Sequence, residues 1–133
     1  MGSFYNKQEV ISFKKVIPAG TVAEYSERVK GEGTVEKISA TFYEGQNGLL
    51  HVRPYIQHKG EKIEDLITYP TGCEKYIAGN AESNKVYDVC VSVENDDDIY
   101  VFVDNTSAED LTLTVEIVVD YYEGKNRVIG GVI

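Results

Sequence analysis

The sequence predicts an all-β protein, an antiparallel β-sandwich of jelly-roll-like layout with about seven to eight strands and at most one short helix. Three observations predict it. Side chains alternate between apolar and polar along most of the chain, most cleanly from Leu111 to Val119, which is the period of a strand with one wet face. Clusters of Gly, Pro, Asn and Asp cut the chain at the spacing expected of two packed antiparallel sheets. Helical spacing of apolar residues occurs in one short stretch, 61–69.

The first strand is expected over about 8–17, closed by the turn Pro18-Ala19-Gly20. A second runs from Gly20 to Val29, and Gly31-Glu32-Gly33 turns the chain into a third from Thr34 to Tyr43. After Glu44-Gly45-Gln46-Asn47-Gly48, a fourth covers Leu49 to Gln57, with Leu50, Val52, Pro54 and Ile56 on one face. His51, Arg53, Tyr55 and Gln57 share the other face. Pro54 has no N–H to give to a ladder, so this strand is expected at a sheet edge or bulged there. In 61–69 the apolar residues Ile63, Leu66 and Ile67 suit one or two helical turns.

The stretch 85–122 reads as a three-stranded antiparallel meander. Val89, Val91 and Val93 alternate with polar neighbours, Glu94-Asn95-Asp96-Asp97-Asp98 forms an acidic hairpin turn, and Ile99 to Val103 returns. The polar run 104–110 then leads into Leu111, Leu113, Val115, Ile117 and Val119. Beyond Gly124 an extended C-terminal tail, about 124–133, carries Val128, Ile129, Val132 and Ile133 with two glycines, an apolar ending that calls for a surface to cover it. No linker-like tract interrupts the chain, so 1–133 is expected to be a single domain.

Composition narrows the function. At 133 residues, 42% hydrophobic and 26% charged, the chain can bury one core. A formal net charge of -9 repels phosphate backbones and anionic membrane surfaces, which argues against nucleic-acid binding. Neither a secretory leader pattern nor an apolar run long enough for a membrane span is visible, so no membrane insertion is expected. Cys73 and Cys90 are too few for a disulfide framework, which favours assembly in a reducing, intracellular environment.

Chemistry-bearing residues are sparse, and no catalytic residue, cofactor or metal is expected. His51 and His58 stand seven apart, an odd step that sends them to opposite faces of a strand. Serine-elbow, zinc-helix, P-loop and dinucleotide-loop patterns are absent. If calcium binds, Asp96 and Asp98 with Asp104 or Asp110 are the oxygens to watch, although Asp and Asn in a hairpin are explained by turn formation alone. There are 10 Tyr and no Trp, several Tyr lying opposite the apolar face: Tyr55 beside His51 and Arg53, Tyr100 beside Phe102, and the pair Tyr121-Tyr122. An outward row of aromatics either stacks on sugar or is covered by a neighbouring subunit, and the remaining alternative is that these tyrosines are simply core residues. Tyr121, Tyr122, Val128, Ile129, Val132 and Ile133 are therefore the candidate interface residues.

Pro18-Ala19-Gly20-Thr21, the strand opening at Gly33-Thr34-Val35, the stretch from Phe42 to Leu50, and Val103-Asp104-Asn105 before a last alternating strand together form a recognisable layout over roughly 16–122. It resembles the small jelly-roll or β-sandwich structural proteins of tailed bacteriophages and prophages, such as head-decoration, fibre and tail-associated subunits. That resemblance implies a non-enzymatic, homo-oligomeric virion component, assembled in the bacterial cytoplasm and docking on other virion proteins or a host surface. It carries no functional residue with it. The alternative from another class is a carbohydrate-binding sandwich, with or without calcium.

Overall fold

The computed structural model describes residues 7–43, 49–59, 62–67, 77–79 and 84–122. Within them lie β1 (Lys7–Ile17), β2 (Val22–Arg28), β3 (Gly33–Phe42), β4 (Leu50–Gln57), β5 (Ile63–Asp65), β6 (Asn84–Val93), β7 (Asp98–Asn105) and β8 (Leu111–Tyr121). They make two four-stranded sheets, the first ordered β1-β8-β3-β6 and the second β2-β7-β4-β5. All neighbours are antiparallel. Strand β1 lies against β8, β2 against β7, β3 against β6 and β4 against β5. The chain is thus a long ribbon of paired strands folded over on itself, its successive rungs falling in alternate sheets, which is the jelly-roll arrangement of a β-sandwich.

The core follows from the alternation. Leu111, Leu113, Val115, Ile117 and Val119 of β8 all point inward, as do Ile99, Val101 and Val103 of β7 and Leu50, Val52 and Ile56 of β4. Each such side chain contributes about 1.5–3 kcal/mol when fully buried, so an apolar face of this length fixes the strand's orientation. On β3 the buried pair Val35 and Ile38 is three residues apart, a spacing that strict alternation forbids. The register slips between Val35 and Lys37 against both β6 and β8, and this bulge restores the inward face. Gly33, the last residue of the Gly31-Glu32-Gly33 turn run, opens β3. A Cβ there would stand 2.5 Å from the Asp120 carbonyl oxygen, so the sheet closes on it only because it has none.

Three expectations are corrected. The last three strands are not a meander, because β6 and β8 belong to the first sheet and β7 to the second. Periodicity reports which residues face inward but not which strand lies alongside. The 61–69 helix is not formed among the described residues. Ile63–Asp65 is a short edge strand beside β4, and the chain then turns Leu66 and Ile67 into the core while the Leu66 N–H donates to the Pro54 carbonyl at 3.1 Å. A partner strand supplies the hydrogen bonds that so short a helix could not sustain. Strand β4 is neither outermost nor bulged, for β7 flanks it throughout and β5 flanks its last three residues. Pro54 is accommodated because its missing donor faces the β5 side, in the gap between that strand and the bridge from Val52 to Ile77. The tail 124–133, with Val128, Ile129, Val132 and Ile133, lies outside the described residues, as does Cys73.

Candidate functional site

The outer face of the second sheet gathers the residues that the sequence placed opposite the apolar positions of β4 and β7. Register sets Tyr55 directly across from Tyr100, and Arg53 across from Phe102. The two tyrosine rings stack with centroids 5.1 Å apart and planes 5° from parallel. The Arg53 guanidinium lies 5.3 Å from the Tyr55 ring centroid, a cation–π distance, and its Nε donates to Asp65 Oδ1 of β5 at 2.7 Å. On the other side, the Tyr55 hydroxyl donates to Glu24 Oε2 of β2 at 2.5 Å. Burial, then the bond to Glu24 and its charge, push that hydroxyl's pKa up to about 12, so it stays a donor throughout the physiological range. The bond to Asp65 holds Arg53 even more firmly in its charged form. At the far end of the face Arg28 and Asp98 pair at 3.0 Å.

An aromatic centre crossing β4 and β7 is therefore tied to both flanking strands by charged partners. Such a patch is organised before anything binds, and its ring faces are spent largely on one another and on Arg53. Sequence reasoning found Tyr55, Arg53, Tyr100 and Phe102 but missed Glu24 and Asp65, because these come from β2 and β5 and join the site only through strand order.

Of the tyrosine pair at the end of β8, Tyr121 turns inward and is 9% exposed. Its hydroxyl accepts the Lys30 N–H at 3.1 Å and donates to Glu9 Oε1 at 3.0 Å. Burial raises its pKa to about 12, and Glu9 adds to this against the pull of the Lys30 amide. Tyr122 faces outward, its hydroxyl bonded to that of Thr34. Tyr121 thus belongs to the protein's interior, and the surface of the pair is Tyr122.

The two histidines sit at opposite ends of β4. His58, just past its end, is held by two carboxylates: Nδ1 lies 2.9 Å from Asp97 Oδ2 and Nε2 2.8 Å from Glu64 Oε1. A buried carboxylate behind an imidazole is also the orienting pair of an acid–base catalyst, but here the outer nitrogen meets Glu64 rather than a hydroxyl or thiol. The acidic residues considered for calcium do not converge. Asp96 lies near Lys59, Asp98 pairs with Arg28, and Asp110 accepts the Ala19 N–H. Asp104 is six residues from Asp98 along β7, roughly 20 Å away. Among the described residues no three His, Cys, Asp or Glu side chains are grouped as a metal site would require.

No family model matches the chain, and no curated protein matches it. Among solved structures it is similar to the mitogen derived from Yersinia pseudotuberculosis, at TM-score 0.51 and 8% identity over 84% of this chain and 86% of that one. Similar too are a chain of infectious bursal disease virus, Gx strain (TM-score 0.44, 7% identity, 90% of this chain and 33% of that one), and one from the disulfide-linked pili of Bacillus endospore appendages (0.42, 14%, 90% and 89%). The chain spans about a third of the viral protein's length. The likeness to the mitogen is one of fold alone.

Proposed function

We propose that this protein is a non-enzymatic structural subunit that works by docking through the outer face of the second sheet onto a second copy of itself. The observation that carries the reading is the tyrosine stack, tied into place by Arg53, Asp65 and Glu24. Tyr and Arg held rigid at the centre of a patch are the residues that contribute most at protein interfaces. For a chain of net charge -9, a face that carries Arg53 and Arg28, each paired with an aspartate, is also where a like-charged copy meets less repulsion than the net charge implies. The finer reading is that of a bacteriophage or prophage virion component, assembled in the bacterial cytoplasm and meeting other virion proteins or a host surface. It rests on the layout resemblance of 16–122.

Light scattering on the full chain and on the Tyr55→Ala/Tyr100→Ala variant tests this. The full chain is expected to be oligomeric at micromolar concentration and the variant monomeric, with unchanged far-ultraviolet circular dichroism. A monomeric full chain, or a variant that keeps the oligomer, overturns it. The second reading, sugar binding, is favoured by the same rings with polar groups at their rim, but a stack that occupies its own ring faces offers less of a platform. Glycan-array binding by the full chain that is lost in the double variant would move the assignment there. Its loss on adding a chelator would implicate calcium.

A further inference from the structure

We propose that His58 is a proton-operated clamp, fastening the edge strand β5 to the turn between β6 and β7 while its imidazole is charged and releasing it when neutral. Each ring nitrogen faces a carboxylate oxygen within 3 Å, Asp97 on one side and Glu64 on the other. An ionised carboxylate can only accept a hydrogen bond, and only the imidazolium carries an N–H at both nitrogens. A neutral ring has one N–H, so one carboxylate must then confront a lone pair.

Which one lets go follows from how each is held. Asp97 is 2% exposed and accepts the backbone N–H groups of Glu94 at 2.9 Å and Lys59 at 3.1 Å. The Glu64 side chain is 44% exposed and can turn into water. The proton on Nδ1 therefore stays with Asp97, and Glu64 is released. Strand β5 pairs through three residues, and Glu64 ties it to the β6–β7 turn through His58, beside the Arg53–Asp65 pair and the buried Leu66 and Ile67 that hold it to β4 and the core.

The described charged groups around the ring bias it toward the closed state. Glu64 comes from β5, and Asp96 and Asp97 come from the β6–β7 turn. Lys59 on the ring's own segment is drawn to Asp96 at 3.9 Å, and Lys62 contributes its carbonyl to the His58 N–H at 2.7 Å. Further along, Glu94 contributes its N–H to Asp97, and Asp98 is taken by Arg28. Burial works against the charged ring, but the bonds to Glu64 and Asp97 and their charges outweigh it, and the pKa lies above the ordinary 6.5. Because Asp65 shares β5 with Glu64 and holds Arg53 beside Tyr55, the clamp also reaches the tyrosine patch, a consequence that rests on the docking reading.

The test is nitrogen-detected NMR of the full chain from pH 5 to 9, with amide exchange of His58 and Leu66 as the readout for β5 and of Thr106 as the distant comparison. Both His58 nitrogens are expected to be protonated at pH 6 and one to titrate above 6.5. Through that titration His58 and Leu66 exchange should accelerate about fivefold or more beyond the intrinsic pH effect, with Thr106 unchanged. In Glu64→Gln, which is exposed enough to leave folding intact, that step should disappear. A His58 titration at or below 6.5, a flat exchange profile, or an unchanged step in Glu64→Gln overturns the clamp. These outcomes are independent of oligomeric state, so failure of the clamp and failure of the docking reading are told apart.

Discussion

The two ends of β7 are closed by buried side chains of nearly the same shape, Asp97 before the strand and Asn105 at its end, and the two do opposite jobs. Asp97 accepts from three donors, the N–H groups of Glu94 and Lys59 and the His58 ring. Asn105, fully buried, donates through Nδ2 to the carbonyls of Ile17 at 2.8 Å, Glu109 at 2.9 Å and Pro18 at 3.3 Å, while its Oδ1 accepts from the Ser107 N–H and hydroxyl. Where every neighbour donates, a carboxylate fits; where carbonyls must also be satisfied, an amide is required. The amide end holds the β1–β2 and β7–β8 turns together mainly through a side chain that does not titrate, Asp110 adding one bond to the Ala19 N–H. The carboxylate end holds β4, β5 and the β6–β7 turn through a histidine that does.

Exchanging the two side chains tests that difference most severely. Asn105→Asp places a carboxylate against three carbonyl oxygens, and the expected loss is about 3–5 kcal/mol at pH 7 in urea unfolding. Acidification should restore part of it, since a protonated acid regains one donor. A loss below about 1 kcal/mol would mean that the carbonyls find other donors. Asp97→Asn is expected to cost less, about 2–3 kcal/mol, because its amide can keep the carbonyl toward Glu94 and His58 while its NH₂ meets the Lys59 N–H. The same variant should lower the His58 pKa by removing an opposing charge, read by NMR.

How much of this was legible in the sequence is uneven, for a physical reason. Strand positions were legible because burial imposes a period of two on each strand separately, and β1, β3, β4 and β8 fall within a residue or two of their expected bounds. Strand order was not, because nothing in Val89-Cys90-Val91 says whether the neighbour of β6 is β7 or β3. The same gap hid the site's rim: Tyr55, Arg53, Tyr100 and Phe102 announce themselves by alternation, whereas Glu24 and Asp65 matter only through the strands beside them. In the sequence Asp97 belongs to an acidic hairpin turn and Asn105 to the polar run 104–110. Their deeper role needs two turns to meet in space, Asp97 with the end of β4 and Asn105 with the end of β1.

The smallest expected effect is the most specific, and it concerns pH. His58 is raised above 6.5, so its stabilisation is complete below 6.5 and lost as pH rises through the higher folded value. Burial pushes Asp97 up, but the Glu94 and Lys59 amides and the histidine outweigh it and hold it below 3.8, so its contribution is complete above 3.8 and lost only as pH falls through the lower folded value. The carboxylate end is thus firmest between these limits, while Asn105 adds no slope. Subtracting the urea stability of Glu64→Gln from that of the unaltered chain at each pH cancels the titrations the two share. The difference is expected to be about 0.5–1 kcal/mol near pH 6, modest because Glu64 is partly solvated, and to fade toward zero as pH rises through the titration of His58 and the imidazole loses its second proton. A difference that stays constant across this range would mean that Glu64 does not sense the charge on His58, and that the two ends of β7 are equally indifferent to pH above the titration of Asp97.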